Sequence, residues 1–318
     1  MPRICDAHCH FFSSRFLELL TKDVRDLPDA DRAGAIAARL GWEPPGSPEQ
    51  LADRWIAELD RHDVARASLI ASIPGDEASV AAAVARSPSR FVGMFMFNPS
   101  APGAIENLPR MLGEQRLRVI ALFPAMHKYR VDDPRIAGLF EVASDHGAAV
   151  FVHCGVLTVG VRKKLGLPCP FDLRLGDPLA VAVVALQHPR VPFIIPHFGA
   201  GLFRETLMAA DQCPNVYLDT SSSNGWMKYY PGLTLEGVFR QALAVAGADR
   251  LLFGTDSSFF PRGWQKPIYD VQAAALTAIG VDEESQANIM GGNFERLFPA
   301  RGEQAEGEKG RITSPGSR

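Results

Sequence analysis

His8 and His10 stand one residue apart in the opening stretch RICDAHCHF (residues 3–11). In an extended strand, residues i and i+2 point to the same face, so the two imidazoles share one side while Cys9 points away. An apolar strand gains no stability from adjacent imidazoles unless something satisfies them, and a divalent metal ion would. Three more polar residues end apolar runs: His153 in AVFVHCG, His197 in FIIPHFG and Asp256 in LLFGTDSS. Neutral imidazoles with a carboxylate suit Zn2+ or another divalent ion such as Mn2+, and three or four protein ligands leave room for a water. Singly, each residue has an ordinary explanation as a hydrogen-bonded core or surface group. Five polar residues at the ends of four different apolar strands are hard to explain as core filling.

What could bring them together is a repeated alternation of short apolar runs with longer helical patterns. Candidate strands are 3–11, 65–72, 90–97, 117–124, 148–155, 192–199, 215–222 and 250–258. Several are almost continuously hydrophobic, as strands of a parallel sheet covered on both faces should be. Between them, 133–147 starts with an acidic residue and Pro and stops at Gly147, while 177–189 starts the same way and stops at Pro189; both read as helices. Eight strands with helical crossovers over about 250 residues predict an α/β fold, a (β/α)8 TIM barrel. A doubly wound sheet would usually carry a glycine-rich phosphate loop after its first strand, and HFFSSRF stands there instead. In such a barrel all strand C-termini meet at one mouth, and the five polar residues with them.

The first connection, 12–64, is long for a barrel and holds a loop at 42–50 and a helical stretch at 51–63. It is expected to be a lid-like insertion over the mouth, since loops of that length tend to be functional. The stretch 283–298 reads as a closing helix interrupted by Gly291 and Gly292, and the polar tail 301–318 as disordered. Residues 1–300 are therefore expected to form a single domain.

The 318 residues are 47% hydrophobic and 22% charged, with a net charge of −3. That is the balance of an ordinary soluble globular chain, with no general basic field for nucleic acid. No apolar run approaches the ~20 residues of a membrane span, and MPRICDAHCHFF lacks the apolar segment of a secretory signal. Five cysteines, an odd count without CxxC spacing, suit reduced thiols and a cytoplasmic location.

Other candidates weigh less. His62, His146 and His188 end helical patterns, where a histidine commonly meets the last carbonyls. Cys9 and Cys154 read as small buried hydrophobes. No GxSxG elbow is present, and the run Ser221–Ser223 has no base nearby in sequence. Around the mouth, proximity to strand ends suggests Phe11, Phe12, Arg15, His127, Trp226, Lys228, Phe259 and Arg262. Aromatic walls with a few cations would suit an aromatic or unsaturated carboxylate, with His127 and Arg262 as its binding residues.

DAHCHF, VFVHCG, IIPHFG and LLFGTDSSF, with YRVDDPRIAGLFEVASDHGAAVFVHCG and GGNFERLF, resemble the amidohydrolase superfamily. More narrowly they resemble its amidohydrolase-2 branch, which includes aminocarboxymuconate-semialdehyde decarboxylase. The similarity covers most of 3–298. It implies His8, His10, His153 and Asp256 as metal ligands, with His197 orienting a water and shuttling a proton. The fourth strand ends LFPAMH, without the lysine that binuclear members use, which implies one metal. The implied activity is metal-dependent hydrolysis of a C–N or C–O bond in a small carboxylated or aromatic substrate, with Asp256 or His197 taking the proton. Non-oxidative decarboxylation at the same site is the alternative, and a non-catalytic ligand-binding barrel a third reading. Members of this branch are often homodimers; the expected partner otherwise is the small-molecule substrate, with neither nucleic acid nor membrane.

Overall fold

A computed structural model describes residues 3–222 and 224–300, so the tail 301–318 and Ser223 lie outside the described residues. Eight strands follow the chain: β1 Ile4–His10, β2 Val64–Ala71, β3 Phe91–Phe97, β4 Val119–Leu122, β5 Ala149–Val152, β6 Phe193–Ile195, β7 Val216–Asp219 and β8 Leu251–Leu252. All pair in parallel with their sequence neighbours, in the order β1 to β8. The ring is closed by backbone bonds from Ala7 to Phe253, from His10 to Ser257, and from Asp256 back to His8, at 2.7–2.9 Å. The predicted TIM barrel is the observed fold.

Two apolar layers follow from strand alternation. Side chains such as Ala7, Met94, Ala121, Phe151 and Ile194 fill the barrel interior, so it is a packed core rather than a channel. The alternate strand residues, Val150 and Phe193 among them, face the surrounding helices and pack with helix residues such as Trp55 and Phe239. Cys9 and Cys154 are fully buried in this outer layer, and all five cysteines are free thiols.

The regular strands are shorter than the apolar runs. β6 ends at Ile195 and β8 at Leu252, because the chain beyond them turns through left-handed backbone at His197, Phe198 and Asp256 (φ 55°, 51° and 60°). Parallel ladders cannot continue through such residues. The bend aims the polar side chains inward at the mouth.

The connection after β1 divides in two. α1 (Ser14–Leu20) and α2 (Arg32–Leu40) build a small core of their own, including Phe16, Leu17, Ile36 and Trp42. α3 (Pro48–Arg61) instead packs into the main core through Leu51, Trp55 and Leu59, and is the barrel's own first crossover helix. It begins inside the stretch read as a loop: Ser47 caps it, accepting from the Gln50 amide at 3.2 Å, and Pro48 fits its first turn.

The closing segment is a helix with a π-helical turn at Asn288–Gly292 rather than a simple break. A Cβ on Gly291 would lie 1.9 Å from the Arg3 carbonyl oxygen, so only glycine lets this turn press against the start of β1. Among the described residues no helix is long and apolar enough to cross a membrane.

Candidate active site

His8, His10 and Asp256 each offer a ligand atom, and the three atoms lie within 4.8 Å of one another. Asp256 Oδ1 is 3.0 Å from His10 Nε2 and 3.7 Å from His8 Nε2. The other nitrogen of each ring is already engaged. His8 Nδ1 faces Asp219 Oδ2 at 2.7 Å, and a carboxylate there holds the proton on Nδ1. His10 Nδ1 is 2.6 Å from Ser72 Oγ, which itself donates to the Ile70 carbonyl and so accepts from the ring. Both Nε2 lone pairs are thereby aimed at Asp256. Fixing a ligand's tautomer by its far nitrogen is how metal-site histidines are usually held.

His153 and His197 join from neighbouring strands. His153 follows β5 directly, and its ring packs on Phe123 and meets His197 edge-on at 5.3 Å. Its Nδ1 is buried without a hydrogen-bond partner, but His153 is not among the three residues whose ligand atoms lie within 4.8 Å of one another. The His197 ring lies 5.0 Å from that of His8. Its Nδ1 is 3.2 Å from the Ser221 carbonyl oxygen, which can only accept, so the ring's Nε2 keeps its lone pair. Ser221 Oγ sits 2.9 Å from Nδ1 of both His8 and His197. The donor set of His8, His10 and Asp256, two imidazole nitrogens and one carboxylate, fits a divalent ion.

The electrostatics agree with this geometry. Burial works against ionising Asp256, but the surrounding rings of His10, His8 and His197 outweigh it and hold the carboxyl well below its ordinary range. Burial also opposes charging His8, yet Asp219 beside it raises its pKa overall. Burial, followed by the neighbouring histidines, drives His153 well below its ordinary value and lowers His197.

Behind the ligands lies Asp6, a buried carboxylate with every oxygen engaged. Oδ1 accepts from the amides of His8 and Thr255 at 2.9 and 3.1 Å. Oδ2 accepts from Thr255 Oγ1 at 2.5 Å and from Trp264 Nε1 at 2.7 Å. It ties the ligand end of β1 to the loop that carries Asp256.

A cavity of about 600 Å³ opens from this cluster. Phe12 stacks on His10, Trp42 on Phe12 and Phe259 on Trp42, with ring centres 4.8–5.3 Å apart, so a continuous aromatic wall leads outward. Of the residues expected at the mouth, Phe12, Trp226, Lys228, Phe259 and Arg262 line the cavity. Phe11 lies in the core instead, Arg15 pairs with Glu18, and His127 is the last residue of a short helical turn outside the lining, with its Nδ1 buried and unpartnered. Sequence reasoning missed Ser72, Asp219, Ser221 and Asp6. The signal for Asp219 and Ser221 was present in NVYLDTSS, another apolar run that turns polar at its end.

A family model described as Amidohydrolase (Amidohydro_2) matches residues 5–300. Among solved structures, 5-carboxyvanillate decarboxylase from Novosphingobium aromaticivorans, complexed with manganese and 4-hydroxy-3-methoxy-5-nitrobenzoic acid, has a TM-score of 0.64 at 15% identity. That comparison covers 93% of this chain and 96% of the other. A probable 2-pyrone-4,6-dicarboxylic acid hydrolase from Acinetobacter baumannii, with citric acid bound, has a TM-score of 0.56 at 14% identity, covering 93% and 99%. These likenesses are likenesses of fold. Protein fluG of Emericella nidulans is 30% identical over 93 residues, 28% of this chain, and the match spans only 10% of that protein's length.

Proposed function

The chain belongs to the Amidohydro_2 amidohydrolase family, and from that premise we propose that it is a metal-dependent hydrolase acting on a C–N or C–O bond of a small carboxylated or aromatic compound. The observation that carries the reading is the convergence of His8, His10 and Asp256, with the outer nitrogens of both histidines occupied by Asp219 and Ser72. His8, His10, His153 and Asp256 would hold one divalent ion, Zn2+ by the nitrogen-rich donor set, with Mn2+ the alternative. When bound, the ion supplies Lewis acidity, polarising a substrate oxygen and making water acidic enough to react near neutral pH.

The protein's own groups handle the protons. His197 presents an unprotonated Nε2 because its Nδ1–H is directed at the Ser221 carbonyl, and it can accept a proton and later return it to the leaving group. Asp256, held ionised, is the second acceptor. Ser221 and Asp219 keep the His197 and His8 rings in place while charge shifts. The aromatic wall of Phe12, Trp42 and Phe259 orients a flat substrate and keeps water from its faces.

That wall also favours a second reading, decarboxylation of an aromatic carboxylate, in which the same proton carriers would protonate the carbon that loses CO2. The five free cysteines support a reducing, cytoplasmic setting. The test is metal content by inductively coupled plasma mass spectrometry, comparing wild type with His8→Ala/His10→Ala. About one equivalent of metal, lost in the double variant, is expected; a protein that takes up none overturns the reading. Screening carboxylates, amides and lactones then separates the two chemistries: hydrolysis releases a newly titrating acid, decarboxylation releases CO2.

A further inference from the structure

Asp256 takes left-handed backbone (φ 60°), which a residue other than glycine keeps only where its surroundings hold it. The holding bonds come from Trp264 and Gln265, further along the same loop. Gln265 donates through Nε2 to the carbonyls of Thr255 and Asp256, at 3.1 and 3.2 Å, and through its amide to Ser257 Oγ at 2.9 Å. Trp264 acts from behind. Its indole Nε1 donates to Asp6 Oδ2 at 2.7 Å, and the same carboxylate accepts from the amides of His8 and Thr255. Gln265 thus grips the backbone of one proposed ligand, while Trp264 grips the carboxylate that joins this loop to the other strand of the site.

This pair has its own anchor on the outer layer. The Trp264 amide donates to Glu58 Oε1 at 2.9 Å, and Glu58, 5% exposed on α3, also pairs with Arg61 at 3.0 Å. A Cβ on Gly263 would lie 2.2 Å from that Oε1, so glycine is what admits the carboxylate. The Trp264 ring lies among those of His62, Phe253 and Tyr269, with centres 5.2–6.4 Å apart, and this packing fixes the direction of its N–H. Closure of the barrel does not depend on these side chains, because the bonds of Ala7, His10 and Asp256 across the seam are backbone ones. Neither Trp264 nor Gln265 lines the cavity.

We infer that Trp264 and Gln265 are positioning residues for the metal site: Gln265 holds Asp256 in its left-handed turn, and Trp264, through Asp6, keeps that turn in register with the end of β1 that carries His8. The inference rests on the proposed function and extends it to a segment remote from the cavity. Without either bond the Asp256 backbone relaxes, and its carboxylate swings away from the His8 and His10 nitrogens.

The test is Co2+ binding to the metal-free full chain, followed by the visible absorption bands that report ligand geometry, in wild type, Trp264→Phe and Gln265→Ala. Phenylalanine keeps a ring against Phe253 and Tyr269 and removes the N–H. Asn215→Ala is the reference, since it breaks three bonds to the carbonyls of Ala185, His188 and Val191 at the opposite end of the barrel. Asn215→Ala is expected to lower the thermal midpoint yet keep the wild-type Co2+ affinity and bands. Trp264→Phe and Gln265→Ala are expected to bind Co2+ about 10- to 100-fold more weakly, with shifted bands. Each variant decides for its own residue, and the half-buried Gln265 decides for the loop should Trp264→Phe fail to fold. Wild-type affinity and bands in these variants, or an equal loss in Asn215→Ala, overturns the positioning role and leaves the proposed function standing. Failure of wild type to take up Co2+ overturns both.

Discussion

Asp219 Oδ2 lies 2.7 Å from His8 Nδ1, with the two side chains 0% and 2% exposed. The pair joins the end of β7 to the end of β1, across the point where β8 intervenes. A second bond, from the Ser221 amide to Asp219 Oδ1 at 2.6 Å, fixes the carboxylate in turn. His8 is thus oriented by a residue 211 positions away in sequence.

Asp219→Asn is therefore expected to weaken metal binding about 10- to 100-fold. The amide can present its NH2 group to Nδ1 and stabilise the tautomer in which Nε2 carries the proton and cannot ligate. Competition with a chelator measures this directly, and an unchanged metal affinity would sink the assignment.

His197 separates proton transfer from metal retention. His197→Asn should lower kcat roughly 100- to 10,000-fold while leaving about one equivalent of metal in place, because general acid–base groups contribute on that scale. Loss of metal together with activity would instead make His197 a ligand.

Gly291 tests the closing turn. In Gly291→Ala the new methyl meets the Arg3 carbonyl oxygen at 1.9 Å and the Cys5 amide nitrogen at 3.2 Å, both backbone atoms that cannot swing aside. A loss of about 1–3 kcal/mol is expected, read as a lower midpoint in thermal denaturation. A midpoint equal to wild type would show that β1 can retreat from the turn.

Two buried groups make opposite demands on pH. Burial lowers His127 from 6.5 to about 4, so the folded state resists a proton that the unfolded chain accepts. Its contribution is intact above pH 6.5 and is lost as pH falls toward 4, by at most about 3 kcal/mol. Burial raises Asp76 from 3.8 to about 6, against the bonds it receives from Ser79 and Ser13. Its contribution is present below pH 3.8 and is lost as pH rises through 6. Chemical denaturation of His127→Phe across pH 4–7 should show a shallower acid-side loss than wild type, and Asp76→Asn a shallower loss between pH 4 and 6. Curves parallel to wild type would contradict the respective shift.

The positions of His8, His10, His153, His197 and Asp256 were legible because each interrupts or ends an apolar run, and a barrel collects such ends on one face. The capping signals Ser47 and Pro48 were equally local, yet they lay inside a segment dominated by Pro44, Pro45 and Gly46, which reads as a loop. The α1–α2 core was less visible: its apolar residues pack mainly on one another, so nothing in their spacing says that they close around Val161 from beyond β5.

The sequence alone determined the barrel and the five polar residues at its mouth, because strand burial and strand ends are short-range properties written in hydrophobic patterning. The partners were decided only by the tertiary structure. Ser72 serves His10 from the end of β2, and Asp219 serves His8 from the end of β7. Phe259, beyond β8, completes the wall begun by Phe12 and Trp42. A hydrogen bond or a ring stack depends on where two side chains meet in space, and for residues hundreds of positions apart only the closed barrel sets that meeting.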